Sequence, residues 1–173
     1  METSPADNQP EKPLDPLVKT ALTICIGLIV MTVVGMILTA PDRSIPPYSV
    51  IAQNGEHVTI HVPSRTTDPE IEALLVRFQV VGQGNRGDFA HRKISSTTAA
   101  DPAGPYQRMT LYIFDDLGLA DASSLNEYIK GSDPLARSSF ERGIRGVYRL
   151  TAETEFAAMG NRILFQGKVR GGG

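Results

Sequence analysis

The sequence predicts an α+β protein in which a single N-terminal transmembrane helix is followed by a small soluble α/β-type domain. Three observations support this fold class. An uncharged apolar stretch lies near the N-terminus, strand-like and helix-like patterns alternate after it, and the 173 residues leave enough chain for one compact core beyond the span. We expect a short mixed or antiparallel sheet with two or three helices packed on one face.

The chain is expected to begin with a disordered tail over residues 1–16. Prolines stand at positions 5, 10, 13 and 16, and the residues between them are mostly polar. Such a segment has too little apolar surface to offset the entropy lost on folding.

The transmembrane helix is predicted over residues 17–40. From Thr20 to Thr39 there are twenty residues without a charge, and a helix of this length spans about 30 Å, which matches a bilayer's hydrocarbon core. Ten of the twenty are Leu, Ile or Val, which favours insertion by roughly 3 to 6 kcal/mol. A cleaved signal peptide has a shorter apolar region, and a buried core helix seldom lacks a polar face.

Charges beside the span predict its orientation. Lys12 and Lys19 flank the N-terminal end, whereas Arg43 is the near neighbour on the other side. By the positive-inside rule the N-terminus is cytoplasmic and the soluble domain is extracytoplasmic, in the periplasm if the source is bacterial. A proline-containing linker over 41–47 should form an extended exit from the helix.

Small residues within the span lie four positions apart, a spacing that lets a second helix approach closely. These possible helix-packing residues are Ala21 with Cys25, Thr23 with Gly27, and Gly35 with Thr39. The alternative interpretation is that these small residues face lipid and contact no other helix.

The soluble domain is predicted over 48–166, with a flexible tail over 167–173. It should open with a hairpin of strands Tyr48–Ala52 and His57–Val62, because Asn-Gly between apolar runs favours a tight turn. Thr67, followed by Asp-Pro-Glu, predicts a helix start, and apolar residues then recur at helical spacing. This buried stripe consists of Ile71, Leu74, Leu75 and Phe78.

The remaining elements follow from composition and periodicity. Residues 82–107 are polar and predict a long loop with room for a short strand. The further elements expected are a buried strand over Arg108–Asp116, a helix over Asp121–Lys130 with Ala122, Leu125 and Ile129 facing inward, a helix over Ser138–Gly146, a strand around Tyr148–Ala152, and a strand over Glu155–Met159.

Two short motifs in the loop are discounted. Residues 82–87 match G-x-G-x-x-G, but a dinucleotide site needs this motif between a strand and a helix, and here it follows a segment of helical periodicity. Residues 86–88 form Arg-Gly-Asp, a tripeptide that arises easily by chance. We interpret both as parts of a glycine-rich loop and predict no cofactor.

Candidate metal ligands and carboxylate pairs are also discounted. His57 and His61 lie four apart in a predicted strand, where about 13 Å separates them. Asp115, Asp116 and Asp121 follow a strand, but without the spacing of a calcium loop, so we interpret them as a turn and a helix cap. No catalytic or metal-binding residue is predicted.

Charge gives one further candidate and one exclusion. If residues 138–149 are helical, Arg142, Arg145 and Arg149 share a face that could contact lipid phosphates or an acidic partner. A solvated face is the alternative.

Beyond residue 40 there are 15 basic and 15 acidic residues, which gives no support for nucleic-acid binding. Cys25 is the only cysteine, so no intramolecular disulfide is possible.

These observations favour a single-pass accessory or structural subunit of a larger membrane complex, such as an energy-converting one, over an enzyme. Its predicted partners are membrane lipid and other membrane-protein subunits, with no small-molecule substrate identified. The alternative is a membrane-anchored binding or sensing module that uses the 82–107 loop as its contact surface.

Overall fold

The structure is a computed structural model that describes residues 15–39 and 45–169. The chain divides into two compact units, Met1–Asp42 and Arg43–Gly173. Residues 1–14, predicted to be disordered, lie outside the described residues, as do Lys12 and Arg43, on which the predicted orientation depends.

The first unit contains helix α1, Pro16–Thr39. Its segment Pro16–Met36 is long and apolar enough to cross a membrane, and none of it is buried in the protein. The predicted apolar helix is therefore confirmed, and its described side chains present apolar atoms on all sides.

The second unit is a six-stranded mixed sheet with five helices in the part of the chain that the structure describes. The strands are β1 Ser49–Asn54, β2 His57–His61, β3 Met109–Phe114, β4 Gly146–Leu150, β5 Thr154–Met159 and β6 Arg162–Lys168. The helices are α2 Asp68–Gln83, α3 Asp88–His91, α4 Leu117–Ala120, α5 Ala122–Lys130 and α6 Pro134–Gly143. The α+β class and the mixed sheet are confirmed.

The strands lie side by side in chain order, β1 to β6. Only β2 and β3 are parallel, with Val58 opposite Leu111, and the other neighbours are antiparallel. A parallel pair requires a crossover connection, and α2, α3 and the segment after them supply it.

Helices cover both faces of the sheet, so the prediction of helices on one face was wrong. On the first face, α2 buries its predicted stripe against β4 and β5. On the second face, α4, α5 and α6 pack over β1, β2 and β3 around Tyr112, Phe114 and Phe140. Every residue of β3 is buried, because alternate side chains point to opposite faces of the sheet and helices cover both faces at this strand.

Local signals placed the first elements correctly. Gly55 adopts a left-handed φ of 58° in the β1–β2 turn, as Asn-Gly predicted. The Glu70 carboxylate accepts from the Thr67 backbone N–H at 2.7 Å and from its hydroxyl at 2.8 Å, which closes the first turn of α2. Ile71, Leu74 and Phe78 are fully buried, as expected.

Other boundaries differ from the prediction. Helix α6 begins at Pro134, with Asp133 as its cap, and ends at Gly143. In α5, Leu125 is buried, but Ala122 and Ile129 are exposed. The flexible tail was predicted to begin at residue 167, but Gly167 and Lys168 belong to β6. The 82–107 segment contains the helix α3 rather than a strand. Ile45 packs against the core, so the folded part starts before Tyr48.

Candidate functional site

The second face of the sheet is only half covered. Helices α4, α5 and α6 lie over β1, β2 and β3 and reach β4 at Val147, while no described helix packs on this side of β5, β6 and the Arg149 end of β4. We call this surface the open face. Alternation along the paired strands places Val147, Arg149, Phe156, Ile163 and Gln166 on it. Ile163 is 58% exposed, Arg149 is exposed, and Phe156 is half-buried. A sheet side that carries apolar residues without cover is a candidate interaction surface.

The open face ends in a polar pocket. His57 Nδ1 lies 3.1 Å from the Tyr112 hydroxyl, and the two rings stack with centroids 6.0 Å apart. A cavity of about 330 Å³ borders His57, with Arg149 and Glu56 on its wall. Arg108 also lines this cavity and lies 3.7 Å from the Glu56 carboxylate. The pocket therefore combines hydrogen-bonding rings with cations.

Burial sets the protonation states in this pocket. Desolvation lowers the pKa of His57, an effect that Glu56 opposes and Arg149 reinforces. Desolvation also raises the pKa of Tyr112, and the neighbouring Tyr128 raises it further. At neutral pH a protonated Tyr112 hydroxyl can therefore donate to a neutral imidazole. The Tyr112 hydroxyl is thereby engaged inside the protein, and the charged groups that line the cavity are Glu56, Arg108 and Arg149.

The sequence did not reveal this pairing of His57 and Tyr112. The two residues are 55 positions apart, and only the parallel register of β2 and β3 brings them together. Tyr112 was visible only as one residue of an apolar strand.

The first glycine of the G-x-G-x-x-G match has a structural role. A Cβ atom on Gly82 would lie 2.0 Å from the Tyr148 hydroxyl and 2.5 Å from Glu155 Oε1. The Tyr148 hydroxyl donates to Glu155 at 2.7 Å, and Gln83 Nε2 donates to the other carboxylate oxygen at 2.8 Å. Glycine is needed here because the last turn of α2 presses on a buried hydrogen-bonded network. The motif begins in the last turn of α2 and so does not follow a strand, in agreement with the sequence prediction.

Arg86, from the Arg-Gly-Asp tripeptide, holds the loop together. Its guanidinium donates to the Gln107 side chain at 2.9 Å, to the Gly82 carbonyl at 3.2 Å and to the Thr151 carbonyl at 3.4 Å. Asp88 accepts from the Asn85 side chain at 2.8 Å. These hydrogen bonds hold the loop against the rest of the domain, and Arg86 links α2 to the β4–β5 turn.

The histidines and aspartates lie where the sequence placed them. His57 and His61 occupy the two ends of β2, and no group of three metal-ligating side chains occurs within residues 15–39 and 45–169. Asp116 caps α4 by accepting from Gly118 N–H, and Asp121 caps α5 by accepting from Ser124 N–H. The interpretation of these aspartates as a turn and a helix cap is confirmed.

Arg142, Arg145 and Arg149 do not share a helix face, because α6 ends at Gly143. Arg142 lies in α6 and Arg149 in β4. Between them, Arg145 forms ion pairs with Asp68 at 2.8 Å and with Asp115 at 2.5 Å. Of the three, Arg149 lies on the open face, where it remains a candidate contact.

The predicted helix-packing residues lie on α1 at the expected spacing. Ala21 and Cys25 are exposed, as are Thr23 and Gly27 one turn apart, and nothing lies within 4 Å of a Cβ atom added to Gly27 or Gly35. The side chain of Thr39 lies outside the described set. A helix partner for these residues stays a prediction.

No protein family, curated protein or solved structure shows a significant similarity to this chain.

Proposed function

We propose that this chain is a single-pass, membrane-anchored accessory subunit whose open face binds another subunit of a membrane complex. Helix α1 supports the anchor by its length and apolar composition. The orientation with the soluble domain outside the cytoplasm is part of the proposal and follows from the lysines before the span.

The open face is the observation that carries the proposal. Its apolar residues, Val147, Phe156 and Ile163, lie on the same side of the sheet as Arg149, and Phe156 is directly opposite Arg149 in the β4–β5 pair. A partner that complements it would present apolar side chains around a carboxylate, because a guanidinium buried at an interface needs an anionic acceptor. The edge strand β6, which carries Ile163 and Gln166 of this surface, could extend the contact through its unpaired backbone groups.

Two matched substitutions test the proposal. Ile163 and Val80 are 58% and 57% exposed, but Ile163 lies on the open face, whereas Val80 lies on α2. Ile163→Glu should remove the partner from a mild-detergent extract of the native membrane, because it places a charge in an apolar contact. Val80→Glu should leave the partner at the wild-type stoichiometry. Recovery of the wild-type chain as a lone monomer would contradict the proposal, as would equal loss in both variants.

A second candidate is the binding module that uses the 82–107 loop, and a basic cluster within this loop favours it. Deleting the loop would not test it, because Phe89, Ile94 and Tyr106 are part of the first core. Point substitutions on the exposed side of the loop are required.

A further inference from the structure

Three consecutive basic residues lie at the C-terminal end of α3, in the 82–107 loop. His91, Arg92 and Lys93 line one side of a cavity of about 390 Å³, and Tyr48 and Ser49 line the other. We call His91–Lys93 the basic turn. The cavity therefore combines adjacent cations with residues that carry hydroxyl groups, outside the open face.

The side chains of the basic turn have no partner among the described residues. None of its three side chains has an ion pair or a hydrogen bond to another residue in the part of the chain that the structure describes. The Nε atom of Arg92 is buried and lacks a hydrogen-bond partner within residues 15–39 and 45–169. Since buried N–H donors are nearly always satisfied in native proteins, this donor indicates an acceptor beyond those residues, for which a bound anion is one candidate.

The backbone gives an independent argument. Lys93 adopts a left-handed φ of 62°, because Ile94 N–H bonds the Phe89 carbonyl at 3.2 Å and Lys93 N–H bonds the Ala90 carbonyl at 3.0 Å. Glycine is the usual residue in this helix-ending motif, and the chain uses Gly131 at the end of α5, with a φ of 64°. The lysine at position 93 is therefore unfavourable for the backbone, which points to a use for its charge.

We propose that the basic turn binds the phosphate group of an anionic ligand. Arginine offers a planar fork of donors to phosphate oxygens, lysine adds a point charge, and the hydroxyls of Tyr48 and Ser49 can donate as well. Two sources share this chemistry, namely free phosphate compounds and lipid headgroups. Tyr48 follows Thr39 by nine positions in the sequence, so a membrane anchor would hold the site at a high local concentration of headgroups. Only the lipid source depends on the proposed membrane anchor.

The test uses the full chain and its backbone amide NMR signals. In non-ionic detergent, inorganic phosphate is titrated while the amides of residues 48–49 and 91–93 are followed. In nanodiscs, the same amides are compared between phosphatidylcholine alone and phosphatidylcholine mixed with phosphatidylglycerol. Saturable shifts with inorganic phosphate identify a site for phosphate groups in general, and shifts confined to phosphatidylglycerol identify a headgroup site.

Three variants decide whether the basic turn is responsible. Lys93→Gly should weaken binding roughly tenfold, because a charged hydrogen bond is lost, while the melting temperature stays the same or rises. Arg92→Gln should weaken binding similarly. Lys130→Gln, which alters an exposed lysine on α5, should leave it unchanged.

Two results would overturn the proposal. One is the absence of saturable shifts in both arms, and the other is undiminished binding by the Lys93→Gly variant. These measurements need no partner protein, and Ile163→Glu should not affect them, so they are separable from the test of the open face.

Discussion

Replacing Gly82 by alanine tests whether the end of α2 is held by the buried network beneath it. The added methyl group would lie 2.0 Å from the Tyr148 hydroxyl and 2.5 Å from Glu155 Oε1. Neither side chain can easily move away, since Tyr148 is fully buried and Glu155 is 1% exposed. Either the helix end shifts or the hydrogen bond between the two side chains breaks.

The loss of stability can be estimated from these two outcomes, the shift of the helix end and the broken hydrogen bond. Overpacking a filled core costs about 1 to 3 kcal/mol, and leaving a buried polar group unsatisfied costs about as much. We therefore expect Gly82→Ala to lower the free energy of unfolding by about 2 to 4 kcal/mol. For a domain of this size the melting temperature should fall by roughly 8 to 16 °C.

Near-UV circular dichroism of the full chain in detergent reports on the soluble unit alone, because all five tyrosines lie beyond residue 47. Gly167→Ala is the matched control, since nothing lies within 4 Å of its added Cβ atom. It should change the melting temperature little.

A double substitution isolates the cause. Tyr148→Phe removes the closest atom, so Gly82→Ala should cost less in that background than in the wild type, although Glu155 still crowds the site. An unchanged melting temperature for Gly82→Ala, or the same loss in both backgrounds, would refute this explanation of the glycine.

Two further predictions concern stability. Arg145→Gln should cost about 1 to 2 kcal/mol in urea unfolding, because Arg145 links Asp68 to Asp115 in a half-buried position. Arg137→Gln, in a solvent-exposed pair with Glu141, should change the stability much less. Equal losses would argue against the importance of burial. Burial lowers the pKa of His57 below its usual 6.5. As the pH falls, the unfolded chain therefore takes up a proton on His57 before the folded chain does. The stability should then decrease as the pH falls below about 6.5 and through the folded-state pKa. His57→Gln should flatten that part of the stability profile, and a pKa for His57 above 6.5 by NMR would contradict the prediction.

Local chemistry made much of the architecture predictable. The hairpin turn at Gly55, the cap of α2 at Thr67 and the buried stripe of α2 depend on neighbouring residues, so the sequence carries them directly. The apolar α1 is predictable for the same reason, because its length and lack of charge need no tertiary context.

The limits of the sequence appear where an element depends on its neighbours. Strand β6 has no alternating pattern, since Arg162 and Gln166 are exposed and Phe165 is half-buried. It forms a strand because it pairs with β5. Similarly, the helix expected over Ser138–Gly146 ends at Gly143, because Gly146 already belongs to the strand Gly146–Leu150 that pairs with β3.

Composition and local periodicity alone therefore determined that this protein has one bilayer-length apolar helix and a mixed α+β domain. Only the tertiary structure decided which part of the sheet stays open, because the described helices on the second face cover β1 to β3 and reach β4 only at Val147. It also decided that Gly82 serves packing and that the basic turn faces a cavity. These features join residues far apart in the chain, and contacts of that kind leave no periodic signal in a single sequence.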